Sequence, residues 1–170
     1  MRSAITSILL SFFVVSMVGQ NTTTLVQLVD NDDLVDGNTY RVFLVLEEGQ
    51  SLHAVFGDEL DPLLIQAEEG LFQHELGGDD GTSMNQAILS IYPDLAFDSY
   101  VTIGSPIPSN EAWHAGIDWD VWNNEANIDT DNGAWFVLPD AEFSSPDAQL
   151  KILIGQFTSV GAVSGTLNAQ

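Results

Sequence analysis

NTYRVFLVLE, residues 38–47, decides the fold class of this chain. Read with a period of two, Tyr40, Val42, Leu44 and Leu46 fall on one face. Phe43 and Val45 make the centre of the other face apolar as well, which suits a central strand covered on both sides. Working outward, TLVQLV (24–29) reads as a shorter strand closed by the polar turn DNDD. On the other side EEGQ (47–50) reads as a turn with Gly49 at its tight position, and SLHAVFG (51–57) is expected to return as the second arm of a hairpin. PLLIQA (62–67) is a further strand, opened by Pro62 where a missing N–H is tolerated.

The remaining chain keeps this character with one interruption. ELGGDDG (75–81) reads as a loop, and SMNQAILSIYP (83–93) is the best helical candidate. Ser83 is placed to cap it, Met84, Ile88 and Ile91 share a side, and Pro93 stops it. FDSYVTIG (97–104) returns to strand, residues 105–133 form a long polar insertion, and AWFVL (134–138) is strand again, with Trp135 in the core. LKILIGQFT (150–158) and AVSGTLNA (162–169) are expected to close the chain as a hairpin across SVG. About eight strands and one short helix predict an all-β domain, a two-layer antiparallel β-sandwich of jelly-roll type.

The N-terminus reads differently. In MRSAITSILLSFFVVSMVGQ, Arg2 supplies a positive start and Ala4–Val18 is mostly apolar, about the length of a signal-peptide core and short for a membrane span. Residues 1–19 are therefore expected to be a signal peptide, with Gly19 at the cleavage point, and residues 20–170 a single exported domain. After the signal only Arg41 and Lys151 are basic, against 25 Asp and Glu. That imbalance makes nucleic acid and anionic membranes, both polyanions, poor partners, because repulsion acts before any specific contact. No later stretch is long and apolar enough to be a transmembrane segment. There is no cysteine, so neither disulfides nor thiolate metal sites contribute.

Catalytic patterns are absent. His53, His74 and His114 share no metal-ligand spacing, and HEL at 74–76 lacks the second histidine of a zinc-protease helix. No serine sits in a nucleophile elbow, and the two aspartates of GGDDG would repel a phosphate, so that segment reads as a turn. Carboxylate pairs suited to glycoside hydrolysis follow from abundance alone.

The segment WHAGIDWDVWNNEANIDTDNGAW (113–135) holds all four tryptophans amid acids and amides. Asp118, Asp120, Asp129 and Asp131 are candidate ligands for calcium, which takes six to eight oxygens. The helix-loop-helix calcium pattern is not matched, and Asn132-Gly133 is a favoured turn pair. The aspartates form a site only if Asp118 and Asp120 fold back to join Asp129 and Asp131. Trp113, Trp119 and Trp122 are candidates for stacking on sugar rings, since they lie in the polar insertion with hydrogen-bonding groups beside them.

A set of phrases in fixed order also carries a resemblance. TYRVFLVLEEGQSLHAVFGDELDPLLI, FQHELGG, PDLAFDSYVTIG, DNGAWFVLPD and ILIGQFTSVGAVSGTLNAQ resemble a recurrent, uncharacterised module of secreted and cell-surface proteins of marine bacteria, over residues 38–170. The resemblance implies export and a β-rich fold and transfers no catalytic residue. The expected function is that of a non-enzymatic extracellular module binding calcium, glycan or cell-surface components. The alternatives are a polysaccharide hydrolase using acidic residues and a purely structural surface protein.

Overall fold

The computed structural model describes residues 23–170, and for residues 12–17 the backbone path. In chain order its strands are β1 (Phe12–Met17), β2 (Thr23–Val29), β3 (Asn38–Val45), β4 (Ala54–Phe56), β5 (Leu63–Ala67), β6 (Tyr100–Val101), β7 (Trp113–Ala115), β8 (Asn127–Thr130), β9 (Ala134–Phe136), β10 (Lys151–Ser159) and β11 (Val163–Ala169). Two α-helices, α1 (Gln86–Leu89) and α2 (Trp119–Glu125), complete the regular elements together with three 3-10 turns. The strands form two sheets, and the fold is a β-sandwich. All strand pairs are antiparallel except β1, which runs parallel to β11. No helix among the described residues is long and apolar enough to cross a membrane. The expected signal peptide, residues 1–19, lies outside the described residues apart from the backbone of β1.

One sheet has the order β2-β3-β10-β6. Its inner face carries Val42 and Leu44 from β3 and Ile152, Ile154 and Phe157 from β10, all essentially buried. The parity of β10 changes partway. Lys151, Leu153, Gln156 and Thr158 face outward, because a register shift between Leu153 and Gly155 inserts one extra residue. A bulge of this kind flips every later side chain to the other face. Without it Phe157 would leave the core.

The other sheet is better seen as a few long strands that bend. The backbone of β1 runs parallel along one edge of β11 from Ser164 to Ala169, and β5 and β4 share the other. Along that edge the partners run Ala67 to Leu64 and then, after the excursion 57–62, Phe56 and Val55. The excursion is tied back by Asn168 Nδ2, which donates to the Asp61 carbonyl at 2.8 Å. β8 and β9 line the next edge in the same interrupted manner, bending at 131–133, where Gly57 N–H donates to the Gly133 carbonyl. β7 forms the outer edge beside β9.

The core between the sheets is one cluster including Val42, Leu44, Leu52, Val55, Ile65, Trp122, Trp135, Ile154 and Phe157. A second, smaller cluster covers the outer face of β3 and β10. Met84, Leu95, Tyr100 and Leu153 pack there with Phe43, Ile88 and Leu89. Strand β3 is thus covered on both sides, as its pattern predicts.

Four expectations need correction. Neither predicted hairpin forms: β3 pairs with β2 and β10, and β10 with β3 and β6, so both edges of each are already occupied. The turn at 47–50 does form, with Gln50 N–H donating to the Glu47 carbonyl, but the chain then crosses to the other sheet. The 83–93 helix shrinks to a single turn, Gln86–Leu89, capped by Asn85 rather than Ser83. Ile91 is 70% exposed, and Pro93 opens a 3-10 turn that lays Leu95 and Phe97 inward. Finally, the polar insertion 105–133 carries regular structure that its composition does not announce: β7, α2 and β8.

Candidate functional site

The insertion is organised by α2. Asp118 caps the helix, its Oδ1 accepting N–H groups from Asp120 (3.1 Å) and Val121 (3.2 Å). Ala126 closes it in the left-handed region at φ 53° and donates to the Trp122 carbonyl at 2.9 Å. A side chain in that conformation is strained, and the chain accepts this to turn at once into β8.

Trp122 leaves the set of candidate ligand-binding residues. It is fully buried and packs edge-on against Phe157, ring centroids 6.0 Å apart. With the Gln73 amide oriented to satisfy both partners, its oxygen accepts from Trp122 Nε1 at 3.1 Å and its nitrogen donates to the Ser99 carbonyl at 3.2 Å. A tryptophan N–H inside a core needs such an acceptor. Sequence reading places Trp122 outside the core because its neighbours are polar. In a helix those neighbours point elsewhere.

Trp119 is half-buried and stands edge-on both to Trp122, at 6.5 Å, and to His114, at 5.0 Å. Its Nε1 donates to His114 Nδ1 at 2.8 Å. His114, Trp119, Trp122 and Phe157 therefore form one aromatic chain from the surface into the core.

Beside this chain the structure brings up Asp79, a residue that sequence reading left in a turn. The loop 74–80 is folded around the buried Asp98 carboxylate, which accepts from His74 N–H at 2.7 Å and Gly78 N–H at 3.2 Å. Asp79 is thereby set against α2, where it accepts from Asn123 Nδ2 at 3.0 Å. Partial burial holds its carboxyl above the ordinary range; the Asn123 hydrogen bond and His114 oppose the shift, while Asp80 and Asp120 add to it. No local sequence signal joins position 79 to positions 114–123.

Trp113 sits elsewhere. In register β7 places Trp113 opposite Phe136 and His114 opposite the buried Trp135, so Trp113 lies on the outer face of its sheet. It is 51% exposed. The same face carries Phe56, half-buried in β4, and farther along Asp129 in β8 opposite Leu64. Ser164 and Thr166 of β11 continue it with hydroxyls, next to Gln66 and Leu64. One end of this face is aromatic and the other hydrogen-bonding.

The four candidate calcium ligands do not assemble. The Gly116 turn does fold against the 130–133 bend: Thr130 Oγ1 donates to the Gly116 carbonyl at 3.1 Å, and the Asn132 carbonyl leaves no room for a side chain at Gly116. Asp118 is nonetheless engaged as a helix cap and Asp129 lies on the outer sheet face, with Asp120 and Asp131 exposed. Among the described residues no three carboxylate or imidazole groups gather in a way that could hold a metal.

Comparison with known protein families, curated proteins and solved structures finds no match to this chain.

Proposed function

We propose that the protein is an exported, non-enzymatic β-sandwich module that binds glycan on the outer face carrying Trp113. The observation that supports this reading is the exposure of an indole: Trp113 stands half out in solvent on an edge strand, opposite Phe136, on a sheet face that continues into hydroxyls and the Asp129 carboxylate. An indole face stacks on the C–H surface of a sugar ring, and neighbouring polar groups take its hydroxyls. The export part of the proposal is supported by Arg2 and the apolar run that follows it. The test is a glycan-array screen of the protein and of Trp113→Ala. Retention of selected neutral polysaccharides by the former alone supports the reading, and identical retention by both rejects it.

The hydrolase alternative draws on a different observation, the raised Asp79 carboxyl beside His114 and Asp120. Reducing-end assays on any polysaccharide that binds separate the two: turnover abolished in Asp79→Asn favours the hydrolase, and binding without turnover favours the module.

A further inference from the structure

Arg41 and Lys151, the two basic residues found after Arg2 in a chain of formal charge −22, line the same concavity. It opens on the outer face of β3 and β10, in the sheet opposite to Trp113, and has a volume of about 350 Å³. That is the size range of small-ligand sites. Phe43, Phe143, Pro106 and Pro146 supply apolar wall, and Glu142 and Asp147 supply two carboxylates.

Both cations are held in place rather than consumed. Arg41 Nε donates to Gln156 Oε1 at 2.9 Å. Gln156 is fixed in turn, because its Nε2 donates to the carbonyls of Ala96 (2.9 Å) and Asp98 (2.8 Å), which leaves its oxygen facing Arg41. The guanidinium also hydrogen-bonds the buried Tyr100 hydroxyl. A guanidinium has five N–H donors, so these contacts orient the group and leave donor capacity for a ligand. Lys151 Nζ lies 5.0 Å above the Phe43 ring, a cation–π contact, and 4.0 Å from Asp147 Oδ2, the outer limit of an ion pair. Asp147 Oδ1 is occupied by the N–H groups of Gln149 (2.9 Å) and Lys151 (3.1 Å), so this carboxylate mainly shapes the 147–151 turn.

We infer that this pocket is a second binding site, distinct from the Trp113 face, for a sugar ring bearing one anionic group. The oriented guanidinium and the ammonium receive the anion, the aromatic and proline walls receive the ring, and the Glu142 side of the pocket receives hydroxyls. On a surface otherwise dense with carboxylates this is where an anion meets opposite charge at short range. A uronate and a sulfated hexose share this chemistry.

Calorimetric titration of the full chain with galacturonate, galactose sulfate and neutral galactose tests the proposal and separates the two anion types. At least one charged sugar is expected to saturate the protein, with galactose about tenfold weaker or more, the worth of one charge-assisted contact. Lys151→Gln, a partly buried position whose folding is checked by its melting curve, should lose about the same factor, and Arg41→Gln as much or more. All three titrations are repeated in Trp113→Ala, where the glycan face above is disabled and the charged-to-neutral difference should persist, which keeps this test separate from that reading. Equal affinity for galactose, unchanged affinity in Lys151→Gln, or no heat with any of the three sugars would overturn it.

Discussion

The carboxylate of Asp98 accepts the backbone N–H of His74 at 2.7 Å from a position without solvent exposure. Gly78 N–H reaches its second oxygen at 3.2 Å. One buried acid thus ties the 74–80 loop to the layer that covers β10. Burial pushes its pKa up from 3.8 to about 6, more than the backbone N–H groups of His74, Gly78 and Ser99 pull it down. The folded chain then holds this proton more tightly than the unfolded chain does. The stabilising contribution is fully present below pH 3.8 and is lost as pH rises through about 6. Thermal melts at constant ionic strength should show stability falling across that window, and Asp98→Asn should flatten the slope there. An identical slope in the variant would show that other carboxylates carry it.

Gly77 is required by the same acid. A Cβ at this position would overlap Asp98 Oδ2, and the carboxylate cannot retreat without giving up its N–H partners. Gly77→Ala should destabilise by roughly 1–3 kcal/mol, as overpacking in a closed site does. Gly70 is the control: it has open space at the Cβ position and a φ of +82°, so Gly70→Ala should cost about 1–2 kcal/mol from backbone strain alone. Urea unfolding of both variants checks the pair, and the loop-specific mark of Gly77→Ala is a changed pH slope.

Trp122 and Trp113 should separate stability from binding. Trp122→Ala removes a fully buried indole and leaves the Gln73 amide oxygen short of a donor, at a cost of about 3–5 kcal/mol. Trp113→Ala, on an exposed edge, should change stability by about 0.5 kcal/mol or less. Denaturant titration measures both. A large loss in Trp113→Ala would mean that its ring is structural.

Salt should stabilise this protein. A formal charge of −22 repels itself more strongly when folded than when extended, and screening shortens to about 3 Å near molar salt. The melting temperature is expected to rise from low to seawater-like sodium chloride. A flat profile would show that the carboxylates are too widely spaced to matter.

Much of the fold is legible in local patterns. The alternation of Tyr40, Val42 and Leu44 against Phe43 and Val45 correctly marks β3 as covered on both faces, and Trp135 lies in the core as its apolar run predicts. Turn residues were readable too, since Gly49 does occupy a positive-φ turn. The partners of those strands were not readable. A turn says that the chain reverses, whereas sheet membership depends on which edges are already filled, and β3 and β10 have none left for β4 or β11.

The sequence by itself determined the class of this protein, because strand periodicity, the absence of cysteine and a surplus of carboxylates are properties of residues and their spacing. Which side chains meet was decided only by tertiary structure. Arg41 and Lys151 stand 110 positions apart in the numbering and share a pocket because β3 and β10 pair. Asp79 reaches Asn123 because a buried Asp98 holds its loop, and Trp122 turns inward because a helix rotates it away from polar neighbours. Such contacts depend on strand pairing and burial across long separations, and no short window of sequence records them.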